Sequence, residues 1–595
     1  MPPYQQRLSL PPWAPDLSDN EAEVSLNVQN LLPRTDGWFP FRQFVPFSAA
    51  LPSACRGFFY ARNPDSSIQI FAGTLNDLWT LDNTTLTWTN VTNGGAGAYA
   101  GLSTSGMWQF MQFNSLVIAV QANVAPQVFT LQSSTQFSNL GGSPPNATYI
   151  AIVNRFVVLS GLPGNLYRVQ WSDLDNPTQW TAGVGLSDFQ DLPDGGVTQG
   201  VAGFDLFAVI FQTSMARLMA FSPGSPFVFT ISKITGGDGN GCFAPYSWTI
   251  DQDNVFWMSQ EGMKMMAPGG APTAVGKDLT DQFFFNTVDT ANLQLVMMTT
   301  DPSAPRMFMA YKSQTGQANL FDTMLVFDWR LGRWSRCFAS GQYLDVLSKP
   351  GLTIERLDAS TPGAVTISGI ADNGSGLIRL TVNSTAGMAT AQQQTVYGKW
   401  NITQVSGNAT LLTALYNIIN TANEAWGQWA ITIIDGTHVD LVGSAFPGGG
   451  AYTSGGYLGP NIELVPFSFD AVSTADLPTM AAVNADGEMG FYNGANAQCI
   501  IESGEHGTNE KRLFVRGFRV ITDAPGVLGA VSYRDSPQAP YNYTTPVAID
   551  GNGTCVVAGG GIDTRYCRAQ ITIPAGTVFT YIKAVEFDWD ETGAY

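Results

Sequence analysis

Side chains able to do chemistry are few in this sequence, and they are scattered. Only two histidines occur, His438 and His506. A Ser-His-Asp triad needs an imidazole as general base beside its nucleophile, and a histidine-built zinc site needs several. His438 precedes a strand, and His506 sits in the polar stretch "ESGEHGTNEKR" (502–512), so both are expected at a solvated surface. Acids cluster three times: Asp173, Asp175 and Asn176 in "DLDNPTQW", one acid in "GGDGNG" (236–241), and Asp588, Asp590 and Glu591 in "DWDETG". Such oxygens suit a hard cation, and two facing carboxylates would suit glycoside hydrolysis. None of the three has EF-hand spacing, and Asp and Asn are favoured in turns because they hydrogen-bond their own backbone. Turn formation is the expectation for all three. No G-x-S-x-G elbow, phosphate-binding loop or H-E-x-x-H is present. The chain is therefore expected to be non-enzymatic, with no catalytic residue, no metal site and no cofactor.

Six cysteines (Cys55, Cys242, Cys337, Cys499, Cys555, Cys567) lack C-x-x-C or zinc spacing and are too sparse for a disulfide scaffold in 595 residues. Reduced, buried thiols in a chain folded in a cytoplasm are expected. The N-terminus "MPPYQQRLSLPPWAPDLSDN" lacks a basic start followed by an apolar core, so no signal peptide is expected, and no apolar run has the length of a membrane span. Asn-x-Ser/Thr triplets at Asn83, Asn90, Asn146 and Asn401 read as by-products of an Asn- and Thr-rich composition.

Composition sets the frame for these residues. Hydrophobic residues make up 44% and charged ones 13%, with 62 Gly and 34 Pro, which suits a loop-rich β protein and not a disordered one. A net charge of −19 argues against a groove that grips nucleic acid by neutralising phosphates. That sign is compatible with a surface that lets nucleic acid pass.

One small β-unit recurs along the chain. Met107 to Leu140 reads as four short strands with tight turns, and the strand "SLVIAV" (115–120) returns as "RFVVLS" (155–160), "LFAVIF" (206–211), "VFWMSQ" (255–260) and "RMFMAY" (306–311). An earlier unit spans 56–91, and a later one comprises "TMAAVN", "EMGFYN" and "AQCIIES" (479–503). A spacing of roughly 40–50 residues is that of a four-stranded propeller blade. A blade cannot bury both faces alone, so its neighbours must stack around an axis.

The expected fold is all-β: a β-propeller of seven four-stranded blades, an inserted small α+β domain and a C-terminal β-sandwich-like region. The boundaries follow composition. Residues 1–55 are an extended N-terminal segment, 56–358 carry blades 1–6, and 359–460 form the inserted domain. Residues 461–507 make the final blade, and 508–595 a β-rich end. The insertion contains the one convincing helical period, Leu411, Leu412, Leu415, Ile418, Ile419 and Ala422 within 408–431, with Thr410 placed to cap it.

Several blocks carry a resemblance. "NLLPRTDGWFPFRQFVPFSAALPSACRGFFYARNPDSSIQIFAGTLNDLWTLD" (30–82), "WQFMQFNSLVIAV" (108–120), "IAIVNRFVVLSG" (150–161), "RVQWSDLDNPTQW" (168–180), "DFQDLPDGG" (188–196), "RYCRAQITIPAG" (565–576) and "FDWDETG" (587–593) resemble tail nozzle proteins of short-tailed, double-stranded DNA bacteriophages. The segment ending "AYTSGG" (451–456) is similar to a small β-domain found in many phage structural proteins, though with a helix added. The resemblance implies a structural virion protein in the tail. It would form a homo-oligomeric ring, commonly of six copies, below the tail adaptor. The adaptor would be contacted through the N-terminal segment. Tail fibres or spikes would attach nearby, and genomic DNA would pass through without sequence-specific binding.

A rival reading makes the propeller a binder or cleaver of bacterial-surface glycans, with Trp38, Trp79 or Trp108 as sugar platforms, although burial is the commoner fate of such residues. A third reading places the chain elsewhere in the tail, as a distal hub.

Overall fold

A computed structural model describes residues 4–18, 24–350 except 84, 226, 252 and 268, 365–397 except 386, 387, 389, 391 and 392, 428–444 with 446, 457–460, 477–507 and 510–593. The chain divides into two compact units. One comprises 1–82, 86–349 and 477–595, and the other 83–85 and 350–476.

The larger unit contains a seven-bladed β-propeller. Six blades are sequential four-stranded antiparallel sheets within 58–90, 109–139, 149–191, 198–238, 248–274 and 297–341. Their innermost strands contact one another in chain order. In each of these six blades the second strand is mostly apolar and buried, as in Phe156–Leu162, where all seven residues, Ser160 included, are buried. Alternation explains this, because successive side chains of a strand point to opposite faces. Val157 and Leu159 pack on Ile118 and Val120 of the preceding blade. Phe156 and Val158 pack on Val201 and Ile210 of the following one. The hairpin into that strand turns through Asn154 (φ 42°) and Arg155 (φ 67°), between paired Val153 and Phe156. Two positive φ values make a type I′ turn, whose twist matches the strands.

The seventh blade is assembled from distant pieces. Its order is Tyr343–Leu347, Thr479–Val483, Glu488–Phe491 and, outermost, Val45–Ala50. Tyr343–Leu347 contacts the innermost strands of blades 6 and 1, which closes the circle. Val45 pairs with Phe491 and Pro46 with Gly490. Proline is tolerated there because an outermost strand has a free edge. The expected third strand, "AQCIIES", is not in this blade. Cys499–Glu502 pairs instead with Tyr566–Ile573, because the propeller positions were filled by Tyr343–Leu347 and Val45–Ala50.

Two seven-stranded sheets form a β-sandwich, and both chain ends build it. One sheet carries Leu31–Arg34, Gly37–Pro40, Ile582–Gly593, Arg512–Thr522 and Thr554–Val556 in order, with Tyr4–Ser9 and Ile562–Thr564 alongside. The other carries Val28–Gln29, Cys499–Glu502, Tyr566–Ile573, Leu528–Arg534 and Asn542–Tyr543, flanked by His506–Gly507 and Val547–Ala548. Phe518, Val520, Val585 and Phe587 of the first sheet meet Ile501, Val531, Ala569 and Ile571 of the second in one apolar cluster. The same cluster takes in Phe256 and Met258 of blade 5, Met307 and Met309 of blade 6, and Trp13. Residues 1–55 are therefore not a separate extended segment. Their apolar strands complete the sandwich and the seventh blade.

The smaller unit is a closed six-stranded barrel, in the order Val365–Asp372, Ile378–Val382, His438–Leu441, Gln428–Ile433, Gln393–Tyr397 and Tyr457–Pro460. Ile367, Leu380, Val382, Ile431 and Val439 fill it. Opposite Cα partners Arg379 and Asp440 form a forked ion pair at 2.6 and 2.9 Å. Of the helix expected at 408–431, residues 408–427 lie outside the described residues, and 428–431 belong instead to the strand Gln428–Ile433, whose Ile431 fills the barrel.

Candidate functional site

The acid clusters have structural occupations. Asp173 accepts the backbone N–H groups of Leu174 (2.9 Å) and Leu186 (2.8 Å). Asn176 accepts from the Thr178 hydroxyl (2.7 Å), and Asp175 pairs with Arg155 at 3.0 Å. "GGDGNG" is not wholly a turn: Gly236–Asp238 end the outermost strand of blade 4, with Asp238 paired to Met215, and only 239–241 make the tight link to blade 5. A Cβ on Gly241 would lie 2.4 Å from the carbonyl oxygens of Gln212 and Thr213. In the sandwich, Arg516 sits at a register shift opposite Ile582–Gly593 and bridges Asp588 (2.8 Å) and Asp590, while Lys511 binds Glu591 at 2.7 Å. Among the described residues, no group of three His, Cys, Asp or Glu side chains is placed to hold a metal ion.

His438 lies in a hairpin of the barrel, with Nδ1 2.9 Å from the Asp435 carboxylate. The Thr437 N–H and this imidazole hold that carboxyl down to about 2. His506 departs from expectation, because it lies in the short strand His506–Gly507 and not in a solvated turn. Its ring stacks on Phe587 at 5.9 Å, and Glu502 and Glu505 are buried beside it in sequence. All six cysteines are buried and unpaired. Burial pushes the Cys55, Cys242 and Cys567 thiols up to about 12, which removes the thiolate needed of a nucleophile.

Two of the three tryptophans considered as sugar platforms are wholly buried, Trp38 and Trp108. Trp108 lies against Gly73, where a Cβ would come within 2.4 Å of its ring, and its indole N–H donates to the Thr74 carbonyl at 2.8 Å. Trp79 is half-buried and bonds the Thr74 hydroxyl at 3.1 Å. A sugar ring cannot stack on Trp38 or Trp108.

One acid among the innermost propeller strands escaped the sequence reading. Asp345 belongs to Tyr343–Leu347 and is flanked by Thr299 of blade 6 and Tyr60 of blade 1. Part of its surface is accessible, but the stacked blades around it exclude bulk water. Burial raises its carboxyl to about 7, against the opposing pull of the Val346 N–H at 2.7 Å and the Thr299 hydroxyl. The signal in the sequence was a single acid inside "YLDVL", a stretch assigned to no strand.

Asp345 makes stability depend on pH. Its folded value lies above the unfolded 3.8, so the native state holds the proton longer. Stability is then full below about pH 4 and falls as the pH rises toward 7. Asp345→Asn removes this slope. The variant should be more stable than the parent at pH 8 by about 2–4 kcal/mol, with the gap gone by pH 4. Thermal denaturation at both pH values checks this, and an equal gap at both would refute the assignment.

Among known proteins, no family model and no curated protein matches this chain. Solved propellers do. The WD40 domain of Neurospora crassa Pan2 is 8% identical over 57% of this chain and 92% of its own, with a TM-score of 0.31. YCF48 bound to D1 peptide is 10% identical over 58% and 96%, at 0.32. A quinoprotein alcohol dehydrogenase-like protein from Bacteroides thetaiotaomicron is 11% identical over 48% of this chain and 66% of its own, at 0.30. Likeness at that level carries nothing about function. The fold stands on its own sheets: this chain is an all-β propeller protein.

Proposed function

We propose that this chain is a non-enzymatic structural protein, the tail nozzle of a short-tailed phage virion, forming part of the wall of the DNA ejection conduit. The observation that supports it best is mechanical. A propeller whose seventh blade is completed by the N-terminal strand Val45–Ala50 shares one apolar cluster with a sandwich built from both chain ends, so neither domain moves without breaking a core. That stiffness suits a load-bearing wall, and it adds to the sequence blocks that resemble nozzle proteins. The net charge of −19 disfavours adhesion of DNA to such a wall. In this reading the chain folds in the host cytoplasm and assembles as a homo-oligomeric ring, commonly a hexamer, with the adaptor above and fibres or spikes nearby.

Negative-stain electron microscopy of the purified protein, beside intact particles carrying a gold-labelled tag, tests the reading. Rings in solution and label at the tail tip beneath the portal are expected. Monomers with label on peripheral appendages would overturn it in favour of glycan recognition.

A further inference from the structure

A basic hollow in this acidic chain lies where blade 6 meets the sandwich. It is an open cleft of about 860 Å³, in the size range of ligand sites. Four arginines line it, Arg34, Arg42, Arg306 and Arg330, with Asp328 as the only acid among the lining residues. The chain has 28 Lys and Arg against 47 Asp and Glu, so four guanidinium groups around one hollow run against its overall charge.

Their states differ. Arg34 is occupied, bonding Asp36 at 3.1 Å and the Thr580 carbonyl at 3.2 Å. Arg306 is held in place: its guanidinium lies 4.7 Å over the Phe39 ring, 3.7 Å from Asp328 and 4.0 Å from Asp301. Its buried Nε has no hydrogen-bond partner. Arg42 and Arg330 are exposed, and neither guanidinium has a carboxylate within 4.0 Å among the described residues. Between the charges the wall is apolar, with Phe39, Leu331, Val578 and Phe579. Val578 is 80% exposed.

We propose that this cleft docks an extended acidic peptide segment of a partner protein, with carboxylates on Arg42 and Arg330 and apolar side chains against Phe39 and Val578. Guanidinium forks match carboxylates bidentately. The apolar wall between them favours alternating acidic and apolar side chains over a phosphate backbone, which would leave Val578 and Leu331 uncovered. The inference does not depend on the nozzle reading.

The test pans a random-peptide display library against the immobilised full chain and measures the winners by fluorescence anisotropy. The enriched peptides should carry Asp or Glu interleaved with apolar residues. Their affinity should fall at least about tenfold in Arg42→Glu/Arg330→Glu, whose exposed positions leave the fold intact, and should weaken with salt. An unchanged melting temperature confirms that the variant is folded. Enrichment of sequences without acids, no enrichment, or binding indifferent to the double variant would overturn the proposal. Displacement of the peptide by a single-stranded oligonucleotide or by pyrophosphate at comparable concentration would also overturn it, and would reassign the cleft to phosphates.

Discussion

Removing residues 1–52 should abolish cooperative folding of the propeller, leaving protein that is insoluble or that melts without a transition. Val45–Ala50 is the fourth strand of blade 7, and without it Glu488–Phe491 becomes an open edge, the kind that recruits another chain. The loss extends beyond one strand. Trp13, Val28, Leu31 and Trp38 are at most 1% exposed and belong to the cluster that joins sandwich and propeller. Trp13 meets Phe283 edge-on at 5.3 Å, and Asp16 accepts the N–H groups of Gln282 and Phe283, both at 2.8 Å, at the start of the short helix Asp281–Thr287. Deleting one buried tryptophan costs about 3–5 kcal/mol, so losing two with their neighbours rivals the roughly 5–15 kcal/mol that holds a domain folded. Circular dichroism melts and size exclusion check this. A soluble monomer with a sharp transition would mean that blade 7 closes with three strands.

Glu505→Gln should destabilise the chain by about 3–5 kcal/mol, which is the usual cost of stripping one partner from a buried ion pair. Glu505 and Arg534 form that pair at 2.6 Å, with side chains only 6% and 8% exposed. The Tyr541 hydroxyl donates to the same carboxylate, and burial together with that bond pushes the phenol up. Beside them Arg568 lies 3.8 Å from Glu502, and its guanidinium sits 4.4 Å over the Tyr541 ring. The variant leaves Arg534 charged where water does not reach. Glu505→Leu/Arg534→Leu should recover much of the loss, because replacing both charges removes the stranded one. Urea denaturation followed by tryptophan fluorescence measures both. A single-variant loss below about 1 kcal/mol would place the pair in the class of exposed surface ion pairs.

The blades were legible because their second strands are enclosed by neighbours on both faces, and two-sided burial writes a run that is mostly apolar rather than alternating. Asn114 and Asn154 occupy the hairpin turns, where Asn tolerates the left-handed backbone, at φ 52° and 42°. Val45–Ala50 was not legible. "VPFSAA" contains a proline and is mostly exposed, as an outermost strand permits, so no local pattern distinguishes it from a loop. Tyr343–Leu347 was passed over because it stands alone before the inserted barrel. Cys499–Glu502 was misplaced because its alternation suits any half-buried strand. The acids of "DWDETG" could be read as turn or cation ligands, but not as partners of Arg516, because that pairing depends on a register shift between strands far apart in sequence.

The sequence by itself determined a repeated four-stranded unit, its approximate period, the absence of a catalytic signature and the acidic balance of the chain. These are local or summed properties, written in periodicity and composition. Tertiary structure alone decided which strand closes the ring, that both chain ends share one sandwich, that the tryptophans at 38 and 108 are core, and that four arginines meet around one cleft. Backbone hydrogen bonds carry no residue label, so a strand free to pair with any edge takes its partner from the geometry of the whole fold.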